Sequence, residues 1–170
     1  MGDFKRDLER GSYYEIKALD ILKQHKFKKL KRIEGYFKEY DIKGMYKNKR
    51  VTIECKYNRY TSYTNKFFIE CFKCNFTLAG ITATESDYYI LFSYFDYWII
   101  KTDDLKKALE EQLRLLHINK KATQDELIEY IKSNGIYTKY TIGILVNIDI
   151  INKYILFKGC LLYTSDAADE

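Results

Sequence analysis

Apolar positions along the chain recur in two rhythms. Tyr14, Ala18, Ile21 and Leu22 follow one another three and four apart or side by side, the period of a helix with one buried face. Gly11-Ser12 precedes them, and Ser12 with Glu15 has capping-box spacing, which predicts a helix from Ser12 to a point between Gln24 and Lys26. Beyond it the rhythm changes to two. Residues 36–46 and 50–57 read as strands joined by the polar turn Lys47-Asn48-Lys49, a β-hairpin. In the second of these, RVTIECKY, Val51, Ile53, Cys55 and Tyr57 fall on one face, and Thr52, Glu54 and Lys56 on the other.

The rest of the chain continues in short elements. Residues 67–71, 88–94 and 97–101 read as strands, and 102–116 as a helix faced by Leu105, Leu109, Leu113 and Leu116. Residues 123–133 form a second late helix, opened by a Thr123/Glu126 capping box and stopped by Asn134-Gly135. One or two strands fall within 140–157. There is no repeat and no low-complexity linker, so the pattern predicts one α/β domain with a mixed sheet of about four to five strands flanked by helices. It spans residues 1–159, with a core at about 11–105 and a helical and late-strand extension at 106–159.

The last eleven residues, CLLYTSDAADE, break the compositional bias. Lys, Ile, Tyr and Asn give way to Ala and Asp. The string is similar to a translated sequencing adapter, so residues 160–170 are set aside as non-native and the native C-terminus is expected to be missing. A frayed natural tail is the alternative. Without Asp166, Asp169 and Glu170 the stated charge of +5 becomes 29 basic against 21 acidic residues, or +8. Such a balance favours polyanionic partners, although solubility alone would also explain it. The 17 Tyr and 10 Phe are residues of A/T-rich codons, so coding bias accounts for much of the aromatic excess. The charged N-terminus and short apolar runs indicate no secretory signal and no membrane partner. With three cysteines before the tail, they point to a reducing cytoplasm, bacterial or that of a phage-infected host.

The polar face of the hairpin carries the chemistry. Glu54 stands two residues from Lys56, and Asp41, in KEYDIKG, lies on the strand that pairs with theirs. Two converging carboxylates repel unless a cation lies between them, and hard oxygen donors suit Mg²⁺ or Mn²⁺. An adjacent ammonium suits a phosphate or an attacking water, which points to metal-assisted phosphodiester hydrolysis. The bland reading of Glu54 and Lys56 is a surface pair on a wet sheet face, with Asp41 a strand-end residue and Glu15 a capping residue.

An acidic residue, a turn and then Glu54-Cys55-Lys56 together resemble the PD-(D/E)XK nuclease superfamily. The sequences NKFFIEC, AGITATESDYYILF and YWIIKTDDL, downstream, resemble its phage-type, Holliday-junction-resolvase-like branch. The likeness covers about residues 11–105, and Tyr40 stands where the name-giving Pro would be. It implies a restriction-endonuclease-like core and a metal-dependent deoxyribonuclease, endo- or exonucleolytic, with branched DNA as one candidate substrate and the cut structure left open. Asp41 and Glu54 would hold Mg²⁺ or Mn²⁺ with the Cys55 carbonyl, Glu15 would complete the shell, and Lys56 would stabilise developing charge. A homodimer is implied by analogy with junction resolvases. Lys28, Lys29, Lys31, Arg32, Lys49, Arg50 and Arg59 are the expected phosphate contacts. Glu70 is a further acidic candidate. An inactive DNA-binding domain of the same fold and a phage structural protein are the competing readings. Cys71 and Cys74 form a CxxC, but Cys55, His25 and His117 lack the spacing of zinc partners. Both histidines are expected to be solvated or capping residues.

Overall fold

The computed structural model describes residues 2–35, 39–116 and 123–161. These residues form two compact units between which the chain passes back and forth. The first holds residues up to 59, 85–101 and those from 156 onward, and the second holds 60–84 and 102–155. A division into a core at 11–105 and an extension does not coincide with this partition.

The first unit opens with helix α1 (Gly2–Gln24), longer at its start than expected. Ser12 is therefore inside the helix and Ser12/Glu15 is no capping box. A glycine costs about 1 kcal/mol against alanine in a helix, and the Lys-, Arg-, Glu- and Leu-rich flanks of Gly11 carry the helix across it. Tyr14, Ala18, Ile21 and Leu22 are all buried, as their spacing predicts. They pack against one face of a six-stranded sheet with the order β1 (Lys28–Arg32), β2 (Ile42–Tyr46), β3 (Lys49–Tyr57), β5 (Tyr88–Phe92), β6 (Asp96–Lys101), β9 (Phe157–Cys160). Only β3 and β5 run parallel, so the sheet is mixed and larger than the four to five strands expected. A parallel neighbour demands a long crossover, and the 60–84 segment supplies it.

The hairpin forms as read. Ile42 pairs with Ile53 and Tyr46 with Lys49. Lys47 and Asn48 have φ of 49° and 63°, the left-handed pair whose twist suits a two-residue hairpin turn. The first strand is shorter than 36–46, because it begins at Ile42; residues 36–38 lie outside the described residues. Lys28 to Arg32, which holds four of the expected phosphate contacts, is the edge strand β1, where lysines discourage further pairing. The core face of β3 is the expected one. Val51 and Ile53 are buried, and Tyr57 stacks on Tyr14 at 4.1 Å. His25 is neither solvated nor a cap, because its ring lies 2.9 Å from the Tyr97 hydroxyl and stacks on Phe157 at 4.2 Å. His117 lies outside the described residues. Of the adapter-like string, Cys160 pairs opposite Asp96 and Leu161 is buried against the core.

The second unit holds a three-stranded antiparallel sheet, β4 (Lys66–Lys73), β8 (Thr141–Asn147) and β7 (Ile136–Tyr137). The expected third strand thus belongs to a different sheet, paired with a partner some seventy residues away in sequence. The unit also contains α2 (Thr61–Thr64), α3 (Thr102–Leu115), α4 (Gln124–Asn134) and α5 (Ile148–Ile151). Leu105, Leu109 and Leu113 of α3 are buried, whereas Leu116 lies past its end and is exposed. The Thr123/Glu126 capping box is present: the Glu126 carboxylate accepts from the Thr123 N–H at 2.7 Å, and the Thr123 hydroxyl from the Glu126 N–H. No helix among the described residues is long and apolar enough to cross a membrane.

Candidate active site

Where β2 starts, β3 runs on. The ladder's last pair at this end is Ile42 opposite Ile53. Beyond it the Cys55 N–H faces a strand that has not yet begun. The Asp41 carboxylate takes the place of that missing strand: Oδ2 accepts from the Cys55 N–H at 2.7 Å, while the Asp41 N–H donates to the Ile53 carbonyl at 3.1 Å. The Asp41 carbonyl in turn accepts from the Ile33 N–H at 2.8 Å, which ties the end of β1 to the same point. Asp41 is 7% exposed, so a charge-assisted bond of this kind is what makes its burial tolerable.

The register ends at Ile42–Ile53, and Asp41 keeps its backbone bond to Ile53 one residue beyond the strand. Glu54 and Lys56 share a face, and the Lys56 Nζ lies 2.8 Å from the Glu54 Oε1. Their side chains are 18% and 39% exposed, so both reach solvent. On the far side Glu54 neighbours Tyr89 and Lys56 neighbours Leu91, both buried. An apolar flank weakens dielectric screening and strengthens each charge acting nearby. A residue in extended backbone turns its N–H and C=O to the same side. The Cys55 carbonyl therefore leaves β3 on the side where Asp41 sits. The Asp41 carboxylate is fixed to the Cys55 amide, and the Glu54–Lys56 ion pair is carried by the residues on either side of that amide.

Glu15 is no N-terminal cap, and it stands on α1, on the sheet face opposite the one that carries Glu54 and Lys56. Its Oε2 lies 2.9 Å from the Arg32 Nε, one residue from the Ile33 that bonds Asp41. Arg32 is thereby engaged by Glu15 within the protein. Lys28, Lys29, Lys31, Lys49, Arg50 and Arg59 are exposed. Two nearby groups have no advance reading. Asp87 accepts from the Thr52 N–H and hydroxyl at 2.8 and 3.1 Å and docks the start of β5 on β3. Lys43 stands opposite Thr52, on the strand face that carries Glu54 and Lys56. Glu70 lies on β4 in the second unit, opposite Gly143. The Cys71 thiol is fully buried there and burial, reinforced by Glu70, pushes it up to about 12. Cys74 is exposed, and its Sγ lies 3.6 Å from the Thr138 carbonyl.

Among the described residues no cluster of three or more His, Cys, Asp or Glu side chains is placed to hold a metal ion. The oxygens nearest the Cys55 amide in sequence and structure are the Asp41 and Glu54 carboxylates and the Cys55 carbonyl. These are all hard oxygens, and Mg²⁺ commonly takes one or two carboxylates and completes its octahedron with water and phosphate oxygens. Comparison of the chain with protein-family models, curated proteins and solved structures finds no match.

Proposed function

We propose that the protein is a metal-dependent deoxyribonuclease whose active site is the Asp41–Glu54–Lys56 corner. One observation carries the reading. The acidic residue before β2 is hydrogen-bonded to the amide inside Glu54-Cys55-Lys56, and Glu54 and Lys56 on either side of that amide form an ion pair.

Asp41, Glu54 and the Cys55 carbonyl would hold Mg²⁺ or Mn²⁺, and such an ion supplies Lewis acidity toward a phosphate oxygen and lowers the pKa of a water. The residues do the positioning. The Cys55 N–H holds the Asp41 carboxylate in place, which fixes one donor before any substrate arrives. Glu54 holds the Lys56 ammonium 2.8 Å from its own Oε1, where it would meet the negative charge that builds on a phosphate under attack. Stabilisation of developing charge by a fixed group is usually the largest catalytic contribution. A partly exposed ion pair contributes about 1 kcal/mol or less to stability, so stability is a weak reason for placing this one here.

The test is a cleavage panel of linear, branched and single-stranded DNA with Mg²⁺, Mn²⁺ or EDTA. Wild type should cut at least one substrate with metal, and Lys56→Ala should lose about 10²- to 10³-fold in rate. A folded wild type that binds DNA but cuts none of these substrates with either metal refutes the reading.

A further inference from the structure

Direct cross-strand partners share a sheet face, so the ladder register sorts the basic residues by side. Lys31 lies opposite Lys43, and Lys43 opposite Thr52; Lys28 lies opposite Met45, and Met45 opposite Arg50. Thr52 and Arg50 have the parity of Glu54 and Lys56. Lys28, Lys31, Lys43 and Arg50 therefore stand on the face that carries the corner, and all four are exposed. Lys49 opposite Tyr46 and Arg32 opposite Ile42 stand on the other face, against which α1 packs. Asp87 is the carboxylate set among these rows, and it is engaged by Thr52.

The arrangement is unfavourable in isolation. Like charges directly opposite one another destabilise a sheet, and Lys31 faces Lys43 across the ladder. A bound polyanion would reverse that sign. At about 3.3 Å per residue the Thr52 row lies about 7 Å from Glu54, and the Arg50 row about 13 Å. One DNA strand advances about 3.4 Å per nucleotide, so that span covers about four phosphates. The rows end at an open cleft of about 620 Å³, where Lys23, Lys26, Lys29 and Lys47 join Lys28 and no acidic side chain contributes to the lining.

We infer that these rows form a phosphate track, which holds the backbone of a DNA strand along the hairpin from the corner to the β2–β3 turn. The inference rests on the nuclease reading only for the identity of the polyanion. Its test is fluorescence anisotropy of a labelled DNA duplex across a salt series in EDTA, so that binding is read without cleavage. Each lost phosphate contact flattens the log–log salt slope by about 0.9, so K31Q/K43Q should flatten it by about 2 and weaken binding about 10- to 100-fold at 0.1 M salt. Lys49, expected from the sequence to contact phosphate, is excluded from the track by its register opposite Tyr46, so Lys49→Gln should bind within about twofold of wild type. If K31Q/K43Q does not fold, K28Q/R50Q tests the second row in the same way. A double variant that binds like wild type, a Lys49→Gln loss as large as that of the double variant, or no DNA binding by wild type overturns the track. A wild type that shows the expected salt behaviour but cuts nothing keeps the track and removes the nuclease.

Discussion

Asp41 offers the sharpest perturbation, because it has a structural and a chemical job that two substitutions separate. Its carboxylate accepts the Cys55 N–H at 2.7 Å from a site only 7% exposed. A hydrogen bond to a charged group contributes about 1.5–3 kcal/mol, and leaving a buried amide without its acceptor costs a similar amount. Asp41→Ala should therefore lower unfolding free energy by about 2–3 kcal/mol. Asp41→Asn keeps an oxygen in the same place and should cost about 1 kcal/mol or less, since only the charge is lost. The chemical job behaves differently. For a site of about millimolar affinity, 10 mM Mg²⁺ should stabilise wild type by about 1.4 kcal/mol. Asp41→Asn should abolish that gain although it folds well. Urea unfolding with and without Mg²⁺, followed by fluorescence of the single, buried Trp98, reads both effects. If Asp41→Ala stays within about 0.5 kcal/mol of wild type, the amide bond is not what holds this corner. If Asp41→Asn keeps the full Mg²⁺ shift, the carboxylate is no ligand.

Two further outcomes follow from groups away from the corner. Burial holds the His25 imidazole below its ordinary 6.5, so the folded chain favours its neutral form. The stability this contributes is present above pH 6.5 and is lost as pH falls below it; the fall in Tm from pH 7 to 5 should be smaller in His25→Phe, and equal slopes would refute the assignment. In native protein a thiol reagent should label Cys74 rapidly and spare Cys71, whose thiol is buried and held protonated. Loss of the fast phase in Cys74→Ser checks this, and native labelling of Cys71 at a comparable rate contradicts it.

What could be read in advance depended on how local the determining contacts are. The helical face of Tyr14, Ala18, Ile21 and Leu22, the hairpin and its turn, and the Thr123/Glu126 box are each set within a few residues, and each appears as read. The start of α1 was missed because Gly11-Ser12 mimics a helix entry, while the flanking residues tolerate one glycine. The edge strand β1 was missed because its lysines suit an edge strand as well as a loop. β4 carries a strand's composition, but nothing in that composition says that its partner is β8 rather than β2 or β5. The role of His25 depends on Tyr97 and Phe157, which stand far along the chain.

Alone, the sequence determined which residue types are available at the corner and which of them share a strand face, because alternation is a property of one extended chain. It determined the hairpin, because a short polar turn brings its strands together at little entropic cost. Tertiary structure decided that β2 begins one residue after Asp41, so that a carboxylate rather than a strand meets the Cys55 amide. It also decided that Arg32 engages Glu15, and that Lys28, Lys31, Lys43 and Arg50 line up on one side. Those outcomes depend on register between strands. Register is set by how every side chain of the sheet packs at once, and no single segment contains it.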